Sequence, residues 1–155
     1  MSILAVPPSV SPPSTAIGTK ARQTVMPGPL AFDEYDSFVR SLGFLSDREM
    51  CTLVVAGDEI LDNLLTHGEI GPGGVVVLVR KRASGLTLGF FVESHPDFAA
   101  FAQMVNNEPV PPPRFSADQR RWRGLGLTMC RTIAPSIQHR PGLLVDRIIM
   151  TIDVR

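Results

Sequence analysis

The sequence predicts an α+β fold, a two-layer α/β sandwich in which helices cover one face of an antiparallel or mixed sheet. The chain has 155 residues, about the length of one ordinary domain. Hydrophobic residues make up 44% and charged residues 19%, which provides enough apolar material for a core. The predicted elements run helix, helix, strand, strand, loop, helix, strand, strand. That order is typical of helices packed on an antiparallel sheet.

Residues 1–29 are predicted to form a proline-rich flexible tail, and residues 30–155 to form the folded domain. Six of the 14 prolines fall in this first segment, among serine, threonine and glycine, and the segment shows no hydrophobic period. Proline cannot donate to a backbone ladder, so this composition favours extended chain. A PxxP-type ligand for a partner domain is the alternative.

Two helices are predicted after the tail. Apolar residues fall at helical spacing between Phe32 and Leu42. Ser46 and Glu49 have the spacing of a capping box, in which the two side chains accept hydrogen bonds from each other's backbone amides. The helix that begins there ends at Gly68 and has one apolar stripe, which comprises Met50, Leu53, Val54, Ile60, Leu61 and Leu64.

Strands and loops account for the remainder of the chain. The predicted segments are a turn at 71–74, a hairpin with strands at 75–81 and 86–93, a short helix at 97–105, a loop at 106–113, a helix ending before Pro135, and strands at 137–140 and 147–154. The last two strands flank the turn at Pro141 and Gly142.

Composition excludes several classes of function. Lysine plus arginine and aspartate plus glutamate each number 15, which argues against a chain built to coat nucleic acid or an anionic membrane. A local basic patch could still bind either. The two cysteines, Cys51 and Cys130, are far apart, which excludes a disulfide scaffold. The apolar runs are strand-sized and the start lacks a basic signal region, so we expect a soluble, cytoplasmic protein.

Glu59, Asn63 and His67 stand four residues apart on the second predicted helix. At 3.6 residues per turn they project from nearly one face, with about 6 Å between neighbours along the axis. A carboxylate and an amide oxygen in such a row can bind Mg²⁺, or can act as a base beside a metal ligand. The same spacing is also typical of a solvated helix edge, with His67 near a C-terminus that favours a cation.

A glycine-rich segment, Arg123-Gly124-Leu125-Gly126-Leu127, precedes the next predicted helix. Glycines let backbone amides approach a phosphate, and a helix N-terminus adds partial positive charge. Three further arginines lie just upstream, so a polyanion such as a triphosphate would meet several cations. The alternative is an ordinary turn on a solvated surface.

Taken together, the two segments resemble the GHKL ATPase superfamily (gyrase, MutL and histidine-kinase type), and especially its anti-sigma-factor serine/threonine kinase branch. The N box of that family, E-x-x-x-N-x-x-x-H-G, matches Glu59, Asn63, His67 and Gly68. Its second glycine box, R-G-x-G-L before a helix, matches Arg123, Gly124, Gly126 and Leu127, with Leu125 between the glycines. The resemblance spans residues 30–155. It implies a histidine kinase-like ATPase domain with a Bergerat-type fold.

The resemblance also implies roles for these residues. In the family the N-box asparagine holds Mg²⁺ and the N-box glutamate acts as the base, positions that are Asn63 and Glu59 in this chain. The second glycine box lines the phosphates of ATP beneath a flexible lid, which corresponds to residues 106–122. His67 and residues 123–127 are accordingly assigned to ATP binding.

One motif departs from the family pattern. The first glycine box, D-x-G-x-x-F, should follow the second strand of the hairpin, where this chain has Ser94, Pro96 and Phe98. Ser94 stands in place of the aspartate that contacts the adenine amino group, and Pro96 replaces a glycine, which removes conformational freedom. Ser94 is assigned to adenine, with weakened ATP binding as the expectation. Glu93 or Asp97 is the alternative partner after a local shift.

Two functional hypotheses follow. The first is an ATP-binding regulatory protein, with ATP and Mg²⁺ as cofactors, that resembles anti-sigma-factor kinases and acts on a sigma factor or on an anti-sigma-factor antagonist. The second is a degenerate ATPase-like module that binds a partner protein without catalysis. The sequence leaves open whether the protein is an active kinase. It also leaves open the oligomeric state, for which a homodimer is one option. No direct contact with nucleic acid or a membrane is expected.

Overall fold

The computed structural model of the chain describes residues 15–17, 19–67, 70–94, 114–117, 121–123, 130–134 and 136–153. For residues 15–17, 67, 114, 116 and 121–123 it describes the backbone alone. The described elements are β1 Thr15–Ile17, β2 Lys20–Val25, α1 Ala31–Arg40, α2 Asp47–His67, β3 Val75–Arg82, β4 Gly85–Glu93, β5 Arg114–Ser116, β6 Arg121–Arg123, β7 Ser136–Arg140 and β8 Val145–Ile152. Residues 130–133 are also helical.

Six of the described strands form one sheet in the order β1-β2-β3-β4-β8-β7. Each neighbouring pair in this order is antiparallel. At the centre of the sheet, Phe90 of β4 lies opposite Val77 of β3 on one side and Ile148 of β8 on the other. Strands β5 and β6 form a separate two-stranded sheet. The protein is therefore α+β with an antiparallel sheet, which confirms the coarse fold class predicted from the sequence.

The core lies between the helices and one face of the sheet. Side chains alternate along each strand: on β3, Val77 and Val79 are buried, whereas Val76 and Leu78 remain partly exposed. The largest fully buried side chains are Tyr35, Phe38, Phe90, Leu53, Ile60, Leu61, Leu64, Leu86, Leu88 and Ile148. Each such side chain contributes roughly 1.5–3 kcal/mol to folding. This arrangement is consistent with the predicted two-layer sandwich.

Helix α2 begins at the predicted capping box. The Ser46 backbone amide donates to Glu49 Oε2 at 2.7 Å, and the Glu49 amide donates to Ser46 Oγ at 3.3 Å. Glu49 Oε2 also accepts a hydrogen bond from Lys81 Nζ at 2.8 Å, which joins the start of α2 to β3. The capping residues therefore determine both where α2 begins and how it sits on the sheet.

The two helices approach closely at Gly57. The Tyr35 hydroxyl of α1 donates to the backbone oxygen of Leu53 in α2. A Cβ atom added at Gly57 would overlap the Tyr35 hydroxyl, so glycine is needed at this position for the contact to form. Tyr35 and Phe90 then pack with ring centroids 6.2 Å apart, which connects α1 to the centre of the sheet.

The predicted tail, residues 1–29, differs from the structure over residues 20–25, which form β2, and over residues 15–17, which form β1. Ala21 and Val25 of β2 are buried in the core and lie opposite Val79 and Val75 of β3. This short strand lies among prolines and is stable because it pairs with a segment at least 50 residues away, so local composition does not predict it. Residues 1–14 lie outside the described residues.

Two further sequence-based predictions concern the middle of the chain. The predicted helix at 97–105 and loop at 106–113 lie outside the described residues. The predicted lid, residues 106–122, contains regular structure in its second half, because β5 and most of β6 fall within it. Phe115 on this hairpin is 57% exposed.

Candidate functional site

The polar row predicted on the second helix is present on α2. Glu59 and Asn63 are both partly buried, and Asn63 Nδ2 donates to the backbone oxygen of Glu59 at 2.8 Å. This bond uses the nitrogen side of the Asn63 amide, and no described residue donates to its Oδ1. The structure therefore keeps one amide oxygen of this row available as a ligand. His67 ends α2, and its side chain lies outside the description, as does Gly68.

Burial raises the pKa of Glu59 above its usual range, and the negative charge of Asp62 raises it further. A carboxylate with a raised pKa is a stronger proton acceptor once ionised. The neighbouring Asp58 has its pKa raised to about 6 by burial and then by the charges of Asp36 and Glu59. Asp58, Glu59 and Asp62 therefore concentrate negative charge on this part of α2.

A helical segment that comes after the second glycine box in the sequence packs on α2. Arg123 ends β6 and is described as backbone alone, and residues 124–127 lie outside the described residues. The first described residue of the helical segment that follows is Cys130, whose thiol is buried and lies 3.6 Å from the backbone oxygen of Ala56. Burial raises the pKa of the Cys130 thiol to about 12, with a further contribution from the charge of Glu59. The structure thus places Cys130, three residues after this motif in the sequence, against Ala56, three residues before Glu59 on α2.

Ser94 follows β4 and belongs to a polar cluster at the end of the sheet. Its Oγ donates to Asp146 Oδ1 at 2.6 Å and lies 3.0 Å from the backbone oxygen of Gly142. Asp146 Oδ1 also accepts the Gly142 amide at 3.2 Å, and its Oδ2 lies 2.8 Å from His139 Nε2. Asp146 and His139 are both buried, at 5% and 6% exposure. We call these residues, Ser94, His139, Gly142 and Asp146, the Asp146 cluster.

The Asp146 carboxylate is ionised in this cluster. Burial by itself would raise its pKa, but hydrogen bonds from Ser94, from the Gly142 amide and from His139 hold the pKa below its usual value. The cluster therefore places a negative charge directly beside the Ser94 hydroxyl.

Asp146 was missed by the sequence-based prediction, which offered Glu93 or Asp97 as alternatives to Ser94. Glu93 is exposed, and Asp97 lies outside the described residues. Asp146 comes from β8, where it shares the inward-facing positions with Ile148 and Met150. The sequence did contain a signal: Asp146 occupies a position that, by strand alternation, should be apolar and inward-facing. A charged residue at such a position is rarely buried without a partner.

The described residues bring some of the predicted site residues together and leave others apart. Glu59 and Asn63 are one turn apart on α2, and Cys130 packs against Ala56, one turn before Glu59. No hydrogen bond or ion pair between described residues joins the α2 row to the Asp146 cluster. The described chain also has no group of three or more histidine, cysteine, aspartate or glutamate side chains arranged to hold a metal ion.

A shallow groove of about 410 Å³ lies elsewhere, between β2 and α1, where Gln23, Asp33 and Ser37 line it. None of the predicted site residues contributes to this groove. It is therefore separate from the α2 row and from the Asp146 cluster.

Comparison of the chain with protein-family models and with curated proteins finds no match in either case. No helix in the described residues combines the length and the hydrophobicity that a membrane span requires.

Proposed function

We propose that this chain is an ATP-binding regulatory protein with a Bergerat-type ATPase fold, similar to the anti-sigma-factor serine/threonine kinases of the GHKL superfamily. The observation that supports this most directly is the packing of Cys130 against Ala56 of α2. The contact joins a residue three positions before the N box to one three positions after the second glycine box, which supports a shared site for the two motifs. The proposal includes a cytoplasmic location and a sigma factor or anti-sigma-factor antagonist as partner, with a homodimer as one oligomeric form.

In this proposal the residues of α2 act on the phosphate end of the nucleotide. Asn63 Oδ1 would bind Mg²⁺ together with phosphate oxygens, which compensates for the small number of protein ligands. Residues 123–127, and His67 at the end of α2, would contact the phosphates. Glu59, with its raised pKa, would accept the proton of a serine hydroxyl during phosphoryl transfer.

The Asp146 cluster supports a nucleotide site despite the altered first glycine box. Ser94 lacks the carboxylate that the family uses for the adenine amino group, but Asp146 places one 2.6 Å from the Ser94 hydroxyl. We therefore assign adenine binding to Ser94 and Asp146 together. The carboxylate then comes from β8, whereas the family motif places it just after the strand that corresponds to β4.

The test is the substitution Asn63→Ala. Because phosphoryl-transfer sites depend on positioning and charge neutralisation by the metal, we expect Mg²⁺-dependent ATP affinity to fall at least about tenfold. Isothermal titration calorimetry with ATP, in Mg²⁺ and in chelator, measures this effect. Thermal unfolding should show that the variant still folds, since Asn63 is only partly buried.

Gln138→Ala is the matched control, because it removes an exposed amide from β7 on the opposite side of the sheet. It should leave ATP affinity unchanged. An Asn63→Ala protein that binds ATP and Mg²⁺ as tightly as the unmodified chain would show that the assignment of Asn63 is wrong.

A second candidate function is a module that binds its partner without nucleotide turnover. One observation favours it: the Ser94 hydroxyl and the Asp146 carboxylate already bond to each other, to Gly142 and to His139. Thermal-shift titration separates the two functions, because a ligand at one hundred times its Kd adds about 2.7 kcal/mol to the free energy of unfolding. No shift at millimolar ATP and Mg²⁺ would favour the second function.

A further inference from the structure

The zero net charge of the chain conceals a separation of charge between the two layers of the fold. The helices α1 and α2 contain eight acidic residues and two arginines. The face of the sheet that points away from the helices has the opposite composition. Among the described residues, the helices are therefore acidic and the outward face of the sheet is basic.

The alternation of the strands defines this basic face. On β2, β3, β4, β7 and β8 the residues that alternate with the buried positions include six cations and one carboxylate, Glu93. The cations are Lys20, Arg22, Arg80, Arg82, Arg140 and Arg147. Between described residues the ion pairs join Asp36 to Arg40, Glu49 to Lys81 and Asp146 to His139, so none of the six cations is neutralised there.

An apolar patch lies at the centre of the same face. Val76 lies opposite Phe91, and Gly89 lies between Leu78 on β3 and Ile149 on β8. A Cβ atom at Gly89 would be 3.1 Å from Phe91 Cε2 and 3.3 Å from Ile149 Cδ1, so these side chains close over the glycine. All four apolar side chains remain partly exposed.

We name the apolar patch and the six cations together the outer sheet surface. An aromatic and aliphatic centre with arginines around it is the composition typical of the energetically important part of protein–protein interfaces. The charge complement of this surface is acidic, because six cations face one carboxylate.

Other occupants fit this surface less well. Nucleic acid would use the cations as phosphate contacts, but only Phe91 of the four apolar side chains has a ring on which a base could stack. A second copy bound face to face would place six cations against six, since a two-fold interface uses the same patch on both subunits. An anionic bilayer would attract the cations, but the apolar side chains of the patch lie on a sheet face and not on an amphipathic helix that could bury itself at the membrane surface.

We propose that the outer sheet surface binds a partner protein through an acidic amphipathic segment. Apolar side chains of that segment pack on Phe91 and its neighbours, and its carboxylates pair with the arginines, chiefly Arg80 and Arg147 beside the patch. This partner site lies on the opposite face of the sheet from the α2 row, and it does not depend on nucleotide binding.

A synthetic helical peptide of roughly 20 residues, with leucines on one face and glutamates elsewhere, is the direct probe. We expect it to bind the full-length chain, with affinity that weakens as ionic strength is raised from about 50 to 200 mM. Fluorescence anisotropy of the labelled peptide measures both the affinity and its dependence on salt. The double variant Arg80→Glu with Arg147→Glu should lose at least about tenfold in affinity, and Phe91→Thr should weaken binding in low and high salt alike.

The matched control is Arg48→Glu, the same charge reversal on exposed α2. It should leave peptide affinity unchanged, and circular dichroism should show that every variant is folded. The proposal is overturned if the glutamate peptide does not bind, or if a peptide with lysine in place of glutamate or with its leucines scattered binds equally well. It is also overturned if duplex DNA or anionic vesicles compete as strongly as the peptide, or if the surface variants abolish self-association of the chain instead.

Discussion

Asp146 is almost completely removed from solvent, and three neighbouring groups keep its carboxylate charged. Ser94, the Gly142 amide and His139 each contribute one hydrogen bond, so both carboxylate oxygens are satisfied inside the fold. A buried charge with this number of partners is stable, whereas the same charge with one partner removed is costly. Single-residue changes in the cluster should therefore affect stability as well as the proposed adenine contact.

The substitution Asp146→Asn should lower the free energy of unfolding by about 1–3 kcal/mol at pH 7, because the new amide nitrogen cannot accept the bonds that the carboxylate accepts. The folded-state pKa of Asp146 lies below its unfolded value. Its contribution is therefore fully present above the unfolded pKa of about 4, and it is lost as pH falls through the folded pKa. Denaturant unfolding at pH 7 and at pH 3 measures the difference.

Asp153→Asn is the control, since Asp153 follows β8 and is exposed. It should have little effect at either pH. If the cost of Asp146→Asn were as large at pH 3 as at pH 7, the ionised form of Asp146 would not be the source of the stability.

At the scale of elements, α2 is joined to the sheet by an ion pair as well as by apolar packing. Glu49 is buried, and although burial raises its pKa, the hydrogen bonds from Lys81 and Ser46 hold the pKa below its usual value. Lys81 Nζ also donates to the backbone oxygen of Phe44 at 3.1 Å. The lysine thus fixes both the loop before α2 and the first turn of the helix.

Lys81→Met should destabilise the protein by about 1–2 kcal/mol, because it leaves the buried Glu49 carboxylate without its cation. This value is below the cost of breaking a fully buried pair, since the Lys81 side chain is one-third exposed. Urea unfolding gives the measurement. Arg40→Met is the control, because the pair of Arg40 with Asp36 is on the surface. Equal losses in the two variants would show that burial of Glu49 adds nothing.

The β5–β6 hairpin lies in the predicted lid and contains a tryptophan whose fluorescence can report nucleotide binding. Trp122, the only tryptophan in the chain, lies opposite Phe115 in this hairpin. We expect ATP with Mg²⁺ to change Trp122 emission as the arginines nearby are drawn toward the triphosphate, and Asn63→Ala to remove that change. Steady-state fluorescence is the measurement. Constant emission during ATP binding that calorimetry detects would exclude coupling between this hairpin and the nucleotide.

At the scale of the whole molecule, the sheet extends beyond the domain boundary predicted from composition. Strand β2 adds Ala21 and Val25 to the core and covers the edge of β3, which would otherwise present unpaired backbone groups. The N-terminal segment is thus part of the folded domain from residue 15 onward as far as the structure describes it.

Ala21→Asp tests this extension of the domain. Placing a carboxylate at a buried position should destabilise the protein by about 3 kcal/mol or more, whereas Arg22→Asp on the exposed side of the same strand should have little effect. Thermal unfolding of the two variants distinguishes a strand from a tail. If neither substitution lowered the unfolding temperature, residues 20–25 would not pair with β3 in solution.

The sequence by itself determined the features that depend on neighbours a few residues apart. The capping box at Ser46 and Glu49, the length of α2 and the β3–β4 hairpin all follow from local spacing and turn chemistry, and the structure confirms them. The placement of Glu59 and Asn63 on one side of α2 is of the same kind, because a helix fixes it by its own period. Their proposed chemistry remains a prediction.

Only the tertiary structure decided the features that depend on pairing between distant strands. Strand β2 is stable through β3, and Asp146 meets Ser94, 52 residues away in the sequence, because β8 pairs with β4. The separation of acidic helices from a basic sheet face is also invisible in a net charge of zero. Long-range pairing sets these contacts, and a strand's local sequence specifies which side chains alternate but not which strand lies beside it.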